Sequence, residues 1–371
     1  MTRHIFPRRL KRRQFLQLAA STTLSNVAMS GCGWKLAQVR SQPSSQGSSK
    51  QLYIFTWANY TDRDLLNRFA EKTGIQAVAN VFDSNEAMLA KLQAGGGGAY
   101  SIIYPSDYMV QKMIELAMLT QLDFSRITNI ERLFPQFLNS EHDPGNLHSI
   151  PISWGTTGLI YNKQKLQKPP EDWSYLWDNK QQLTKRMTLL NDVREVMGAA
   201  LKMLGYSYNS RDVQQIQQAY EKLAELKPSL ASFTTDTWRE QMLSGDLLIA
   251  MCYSSDANEV IEENKNLEYV LPKSGSSLWM DTLAIPKTAA NPEGAYAWIN
   301  FMLQPNVAAQ ICQRLSFATS NQAAFNLLPP EVKNNSTLFP SESELERCET
   351  LAPMGQLSEV YESYWTKLTS A

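Results

Sequence analysis

LYIFTWANYTDRDLLNRFAEKTGIQAVANVFDSNEAMLAKLQAGGGGAYSIIYPS, residues 52–106, decides the fold class of this chain. Its apolar spacing predicts strands over LYIFTW, IQAVANVF and YSIIYPS. Amphipathic helices are predicted between them, over RDLLNRFAEKT, which Gly74 closes, and over NEAMLAKLQAG. Strand, helix, strand, helix, strand is the order of a parallel sheet covered by helices. The sequence therefore predicts an α/β protein.

The rest of the chain continues this alternation. Strands are predicted over SIPISWGTTGLIYN, MTLLND, LLIAMCYSSD, LEYVLP and SSLWMDTLAIP, and helices over VREVMGAALKMLGY, DVQQIQQAYEKLAEL, WREQMLSGD and AYAWINFMLQP. The last helix starts at Asn291-Pro292-Glu293, with proline at its first position. A chain of 371 residues is long enough for two cores. We therefore expect two α/β lobes joined by more than one crossing, with a binding cleft at their junction.

Residues 1–31 have the pattern of an export signal. Five basic side chains within residues 8–13 precede FLQLAASTTLSNVAMS, an apolar run shorter than the roughly 20 residues that a spanning helix needs. Residues 12–16, RRQFL, fit the twin-arginine signal, and Sec export is the alternative. Either route predicts a periplasmic protein.

The end of this signal resembles a bacterial lipobox. In Met29-Ser30-Gly31-Cys32 the cysteine would be acylated and would anchor the protein to a membrane. The alternative is an ordinary cysteine that follows plain signal cleavage. Residues 32–51 are rich in Ser and Gln, which predicts a flexible tether before the folded part.

The charge balance constrains the class of ligand. The chain has 35 Lys and Arg against 36 Asp and Glu. Loss of residues 1–31 would remove six of the basic side chains and none of the acidic ones, so the formal charge would change from -1 to -7. An acidic body does not favour nucleic acid as a partner and suits a cationic ligand.

Neither the cysteines nor the histidines suggest a metal site or another cofactor. There is no Cys-x-x-Cys spacing, and the three histidines are scattered. In an oxidising compartment one cysteine pair could form, and Cys312 with Cys348 is favoured over pairs that include Cys252. His142 and His148 are expected on a surface loop around the turn DPGN.

Three carboxylates fall where predicted strands end or run through apolar sequence. Asp192 and Glu195 follow MTLLN and open the next helix, and Asp281 interrupts SSLWMDTLAIP. Asp192-x-x-Glu195 is also a capping box, which would need no ligand. Asp281 in a buried strand requires either local hydrogen bonds or a positively charged partner.

Aromatic residues stand close to these carboxylates in the predicted layout. They occur at comparable loop starts: Trp57, Tyr108, Tyr253 and Trp279. Core packing would explain each one separately. Together with the acids they suit an alkyl ammonium, because its methylenes stack on rings and its ammonium group donates charge-assisted hydrogen bonds to carboxylates.

From Leu52 to the C-terminus the chain resembles the periplasmic spermidine/putrescine-binding proteins of bacterial ABC importers. The resemblance rests on FTWANY, SNEAMLAKL, YPSDYMV, SIPISWGTTGLIYN, DVREV and WMDTLAIPKTAANPEGAYAWINFML, in this order. It implies an α/β, two-lobed type II periplasmic binding fold with a hinge and an interlobe cleft. The implied N-terminal lobe comprises residues 52–155 and 280–325, and the C-terminal lobe residues 156–279 and 326–371.

The same resemblance implies a function without catalysis. A monomer would capture spermidine or putrescine and deliver it to the permease subunits of an ABC importer, with no cofactor. Trp57 and Trp279 would form walls, and Tyr253 stands where the family usually has another Trp. Carried over position by position, the implied ligand-binding residues are Trp57, Asn59, Ser106, Tyr108, Asp192, Glu195, Tyr253, Trp279, Asp281 and Phe317.

The chain also departs from the family at several of these positions. Ala58-Asn59 replaces a Thr-Glu pair, Phe317 stands where a Tyr hydroxyl is frequent, and Leu351 stands where a Gln is expected. Fewer polar anchors imply weaker binding or a changed choice among putrescine, spermidine and spermine.

Two alternatives remain at this stage. The same fold could bind a different organic cation. A hydrolase could use two carboxylates facing each other across the cleft, but Asp192 and Glu195 lie on one helix turn without a nucleophile or a histidine base.

Overall fold

The computed structural model describes residues 50–58, 60–82 and 84–370. The predicted export signal, the lipobox at Cys32, residues 32–49 of the tether, and Asn59 lie outside the described residues. Within the described ranges, no helix combines the length and apolar character that crossing a membrane requires.

The described chain alternates strands and helices, as predicted. The strands are β1 (Gln51–Trp57), β2 (Gln76–Phe82), β3 (Ile102–Ile103), β4 (Ser149–Asn162), β5 (Met187–Leu189), β6 (Ser232–Phe233), β7 (Ile249–Tyr253), β8 (Leu267–Val270), β9 (Ser277–Ala284), β10 (Ala318–Thr319) and β11 (Glu349–Thr350). The first helices are α1 (Arg63–Thr73), α2 (Asn85–Gln93), α3 (Asp107–Glu115), α4 (Tyr175–Asp178), α5 (Val193–Met203), α6 (Val213–Leu226) and α7 (Trp238–Ser244). The remaining helices are α8 (Ser254–Glu263), α9 (Pro292–Met302), α10 (Pro305–Leu315), α11 (Gln322–Leu327), α12 (Pro330–Lys333), α13 (Glu342–Leu345) and α14 (Ser358–Ser370).

Local sequence signals explain where several helices start and stop. The Asp62 side chain accepts a hydrogen bond from the Leu65 amide at 2.7 Å, and Gly74 ends α1 with a φ of +73°. Asn291 caps α9 by accepting from the Gly294 amide at 2.9 Å. The predicted helix boundaries at these residues are confirmed.

The strands of the described residues form a single mixed sheet. Its order is β2-β1-β3-β9-β4-β7-β5-β6, while β8 and β10 pair with β4, and β11 pairs with β9. The first three strands run parallel, whereas β9 lies antiparallel to both β3 and β4. The strand that carries Asp281 therefore comes back from late in the chain to lie between two early strands.

Buried apolar side chains form two large clusters on this sheet. The first comprises side chains from residues 52–150 and 283–317, with Tyr208 and Leu351. The second comprises side chains from residues 159–251 and 354–368. The 14-residue strand β4 contributes Ile150 to the first cluster and Leu159 to the second, so it connects the two cores.

Some boundaries differ from the prediction. Within YSIIYPS the strand is limited to Ile102 and Ile103, and LLIAMCYSSD ends as a strand at Tyr253. Ser254 begins α8, and its hydroxyl accepts a hydrogen bond from the Thr156 amide at 3.2 Å. This contact from another strand fixes a helix start that the apolar pattern does not reveal.

Two predictions about single residues are wrong. Cys252, Cys312 and Cys348 are all free, so the favoured Cys312–Cys348 pair is absent from the described part of the chain. Cys312 packs in an apolar cluster between α10 and α11, while the Cys348 thiol lies 3.6 Å from the Glu344 carbonyl. His142 is buried, with Nδ1 3.2 Å from Gln111 Oε1, because its loop packs against α3. His148 is partly exposed, as expected for its loop.

Candidate functional site

A cleft with a cavity volume of about 110 Å³ contains most of the predicted site residues. A single buried water needs about 10–15 Å³ on this scale, so the cavity has room for on the order of ten ligand atoms. The predicted residues that line it are Trp57, Ser106, Tyr108, Asp192, Glu195, Tyr253, Trp279, Asp281 and Phe317, and Ala58 and Leu351 line it too. The tenth predicted residue, Asn59, lies outside the described residues.

Asp281 is buried in β9 and is satisfied by local hydroxyl groups. Ser106 Oγ donates to its Oδ1 at 2.6 Å, and the Tyr60 hydroxyl donates to its Oδ2. Burial raises the pKa of Asp281 to about 6, and the hydrogen bonds from Ser106 and Tyr60 oppose this rise. Of the two alternatives predicted for Asp281, the structure shows hydrogen bonds from the protein, and both hydrogen-bond donors are uncharged.

Ser106 is held in place at the junction between β3 and α3. Its amide donates to Asn85 Oδ1 at 3.1 Å, and Asn85 Nδ2 donates to its hydroxyl oxygen at 3.0 Å. An isolated antiparallel bridge also pairs Ser106 with Asp281. The loop after β3 is thus fixed to both α2 and β9, which keeps the Ser106 hydroxyl on the Asp281 carboxylate.

Asp192 and Glu195 stand at the start of α5, where only half of the capping box forms. Asp192 Oδ1 accepts from the amides of Arg194 at 2.9 Å and Glu195 at 3.1 Å. The Glu195 carboxylate does not return to the cap. Instead, its Oε2 accepts from the hydroxyls of Tyr208 at 2.8 Å and Ser277 at 2.7 Å.

The environment of this pair opposes ionisation. Burial, and then the charge of Asp192, raises the pKa of Glu195 to about 7. Burial also raises the pKa of Asp192, whose Oδ2 accepts a 3.4 Å hydrogen bond from the Tyr253 hydroxyl. Glu195 is buried, Asp192 is half-buried, and their hydrogen-bond partners are neutral, so a cation would stabilise the negative charge of this pair.

Aromatic rings surround the carboxylates. Trp57 packs against Phe82 with ring centroids 4.5 Å apart, and Tyr253 meets Trp279 edge to face at 5.9 Å. Phe317 packs against Tyr60 at 4.0 Å. Tyr108 donates its hydroxyl to Glu86 at 3.2 Å, so it adds a further polar contact at the cleft. The predicted aromatic walls and acids are thus brought together in one cavity.

Comparison with known proteins gives this arrangement a family. Residues 64–340 match the bacterial extracellular solute-binding proteins. The chain belongs to this family. The spermidine/putrescine-binding periplasmic protein of Salmonella typhimurium is 38% identical over 318 residues, which cover 85% of this chain and 91% of that protein. The putrescine-binding periplasmic protein SpuD of Pseudomonas aeruginosa is 32% identical over 340 residues, with coverage of 87% and 92%.

A solved structure supports the same assignment for this solute-binding protein. The substrate-binding protein PotD of the spermidine/putrescine ABC transporter from Streptococcus pneumoniae matches it with a TM-score of 0.75 at 38% identity. The match covers 86% of this chain and 99% of that one. The predicted family resemblance and the two-lobed type II periplasmic binding fold are confirmed. The family also indicates an extracytoplasmic location, and the relative from Streptococcus pneumoniae is the substrate-binding protein of an ABC transporter.

Sequence reasoning missed four residues that shape the cleft of this solute-binding protein. Tyr60 and Asn85 organise Asp281 and Ser106, although both stand inside the motifs that carry the resemblance. Arg239 lines the cleft and contacts Asp256 at 2.7 Å. No sequence signal pairs these two, because they begin separate helices. Within the described ranges, no group of three or more His, Cys, Asp or Glu residues could hold a metal ion.

Gly155 of the solute-binding protein allows Trp279 to stand in the cleft wall. The two residues pair across β4 and β9, and a Cβ on Gly155 would meet Trp279 Cζ2 at 2.3 Å and Ser254 Oγ at 2.6 Å. We expect Gly155→Ala to lower the free energy of unfolding by about 1–3 kcal/mol, because the strand backbone and the indole both lack room to shift. Chemical denaturation with Trp fluorescence measures this loss and the displaced ring.

Gly98→Ala is the matched control for that variant. A Cβ there would meet nothing closer than the Thr288 carbonyl oxygen at 3.9 Å, so its unfolding free energy should stay close to that of the unaltered protein. Equal stability of the two alanine variants would contradict the assigned role of Gly155.

Proposed function

We propose that this solute-binding protein captures a polyamine of the putrescine and spermidine class in its cleft and delivers it to the permease subunits of an ABC importer. The observation that carries the proposal is the set of three carboxylates that line one cavity with Trp57, Tyr253 and Trp279. Glu195 and Asp281 are buried, and Asp192 is half-buried. The relatives described above are named for spermidine and putrescine, or for putrescine alone.

The chemistry of a polyamine matches this cavity. Its ammonium groups donate charge-assisted hydrogen bonds, each of which contributes about 1.5–3 kcal/mol when the acceptor is a carboxylate. Its methylene chain needs apolar walls, and cation–π contacts with aromatic faces add about 0.5–2 kcal/mol each. Residues at two separate parts of the fold supply the acids: Asp281 in β9, and Asp192 with Glu195 at the start of α5.

The imbalance of charge in the cleft also favours a cation. Among the described residues that line it, six are acidic and one is basic: Asp107, Asp192, Glu195, Asp236, Asp256 and Asp281, against Arg239. An anionic ligand would face repulsion from these groups. A cation bound next to Glu195 and Asp281 would stabilise their ionised forms and would lower their pKa values toward the ordinary range.

The departures from the family fit a site with fewer hydroxyl and amide anchors. Phe317 fills its position with a ring that packs against Tyr60, and Leu351 belongs to the first apolar cluster while it lines the cleft. Asp192, Glu195 and Asp281 stand at positions that match the acids of the family motifs, and all three line the cleft. The orientation of the ligand then depends mainly on contacts between its ammonium groups and the carboxylates. The choice among polyamines depends on the positions of the carboxylates that have no cationic partner in the protein.

The ligand is captured between two lobes, each built around one of the two apolar clusters. Residues 52–155 with 280–325 form one lobe, and residues 156–279 with 326–371 form the other. Hinge motion closes them over the polyamine. The closed monomer then contacts the permease, and a lipid on Cys32 keeps the protein near the membrane. The two apolar clusters support this division, since each has its own core and β4 connects them.

Titration of ligand-stripped protein lacking residues 1–32 tests the proposal. Isothermal calorimetry and Trp fluorescence are followed with putrescine, spermidine, spermine and the uncharged 1,4-butanediol. We expect saturable binding of at least one amine and none of the diol, because the diol has the same methylene chain without the charges. Absence of measurable binding of all three amines, in protein whose circular dichroism shows a folded state, would overturn the proposal. Other organic cations would then be tested as ligands.

A further inference from the structure

Arg239 is the one basic side chain among the described residues that line the cleft. It lies in the first turn of α7, and its guanidinium reaches two carboxylates. Nη2 lies 2.7 Å from Asp256 Oδ1 at the start of α8, and Nη1 lies 2.8 Å from Asp236 Oδ1. The side chain of Arg239 is 20% exposed and that of Asp256 is 14% exposed, so this pair belongs to the cavity wall and not to the outer surface.

Of the other acids of the cleft, Asp107 Oδ2 lies 3.8 Å from His142 Nε2, whereas Asp192, Glu195 and Asp281 have no cationic side chain in contact among the described residues. No Lys, Arg or His within the described ranges lies within 4 Å of the Asp192, Glu195 or Asp281 carboxylates. Their contacts come from hydroxyl groups and backbone amides. Among the described residues, Asp281 and the Asp192–Glu195 pair are therefore two acidic positions of the cleft with no Lys, Arg or His within 4 Å. At a third acidic position, Asp256, the guanidinium of Arg239 already supplies the positive charge.

The guanidinium is fixed in this position. Two carboxylates hold its terminal nitrogens, and its Cζ stands 5.4 Å from the centroid of the Trp238 ring. Burial lowers the pKa of Arg239, but Asp256 and Asp236 raise it by more, so the side chain keeps its charge. The Arg239 side chain therefore stays positively charged when a ligand binds in the cleft.

We propose that Arg239 takes the place of a third ligand ammonium and makes the cleft select diamines over triamines. This inference rests on the proposed function, since it concerns the choice among polyamines at the same site. A diamine such as putrescine has two ammonium groups, which matches the two acidic places without a charged partner. A triamine such as spermidine brings a third positive charge, which meets a guanidinium and a carboxylate that is already neutralised.

Removal of the guanidinium should reverse this selection. In Arg239→Met the methylene packing is kept and the charge is lost, so Asp256 becomes available to an ammonium. We expect the affinity ratio of spermidine to putrescine to rise by about tenfold or more, because like charges at a desolvated contact are strongly unfavourable. The ratio comes from calorimetric titration of each amine into the ligand-stripped protein.

Two further variants separate this effect from a general change of the site. Arg239→Met combined with Asp256→Asn should lose the gain, since the carboxylate that would receive the third ammonium is absent. Arg126→Met removes an arginine from an exposed ion pair with Glu293, at 2.7 Å, and should leave the ratio as it is. Should Arg239→Met fail to fold, Asp256→Asn alone serves instead. The Arg239 charge is then no longer compensated by Asp256, so the affinity ratio of spermidine to putrescine should fall below that of the unaltered protein.

The outcomes distinguish this inference from the proposed function. Preference of the unaltered protein for putrescine, together with the rise in Arg239→Met, would establish the role of Arg239. Polyamine binding with an equal ratio in the unaltered protein, Arg239→Met and Asp256→Asn would overturn it and leave the proposed function standing. Absence of binding by every amine would overturn both.

Discussion

Asp281→Asn is expected to weaken polyamine binding by about 1.5–3 kcal/mol, or roughly 10- to 150-fold, with little loss of thermal stability. Asn keeps the shape of the side chain and an oxygen that can accept from Ser106, so the hydrogen bonds that bury the group stay largely in place. It loses the negative charge that an ammonium requires. Calorimetry gives the affinity, and thermal unfolding of the same preparation shows whether the fold is intact.

Glu195→Gln extends this prediction to the acid at the start of α5. Its side chain can still accept from Tyr208 and Ser277, so an affinity loss of the same size is expected. Glu293→Gln is the control, because it removes a carboxylate that is 79% exposed and outside the cleft. Unchanged affinity in both Asp281→Asn and Glu195→Gln would show that the two carboxylates serve the fold alone.

Polyamine affinity should fall as the pH is lowered from 8 to 5.5. The free protein has a Glu195 pKa of about 7 and an Asp281 pKa of about 6, both above the ordinary values because of burial. An ammonium prefers the ionised carboxylates, so bound ligand lowers these pKa values and protons compete with it. Linkage through both groups predicts a loss of about 100-fold over this range.

Calorimetry in buffers of different ionisation enthalpy measures the protons exchanged. Binding at pH 7 should release protons, because the carboxylates that are partly protonated in the free protein become ionised. Glu195→Gln should release fewer protons between pH 6 and 7 and show a flatter pH profile there. Equal affinity of the unaltered protein at pH 5.5 and pH 8 would contradict the assignment of these acids to the ligand.

The parts of the fold that depend on residues close together in the sequence were predictable. Capping by Asp62 and Asn291, and termination by Gly74, mark helix boundaries within a few residues of the chain. Sheet order was not predictable in this way. The placement of β9 between β3 and β4 is decided by tertiary pairing, for example of Ile103 with Ala284, which no local pattern encodes.

The same distinction holds for the candidate site. The acids and aromatic residues were recognised from their types and from the family motifs. Their supporting contacts were not, since the Tyr60 hydroxyl and the Asp281 carboxylate are 221 positions apart in the sequence. Burial of His142 and the pairing of Arg239 with Asp256 likewise depend on how separate helices and loops pack. Sequence spacing carries no information about such contacts.

The return of β9 has a consequence for the order in which the chain can fold during synthesis. The first apolar cluster is built from residues 52–150 together with residues 283–317. Until ribosomal elongation has passed residue 284, β3 therefore lacks its neighbour β9. Until it has passed residue 315, the helices of the first half lack the apolar faces of α9 and α10. The second cluster depends in turn on residues 354–368. A nascent chain of this topology keeps apolar surface and an unpaired strand edge exposed until late in translation, which is the condition under which chaperones bind.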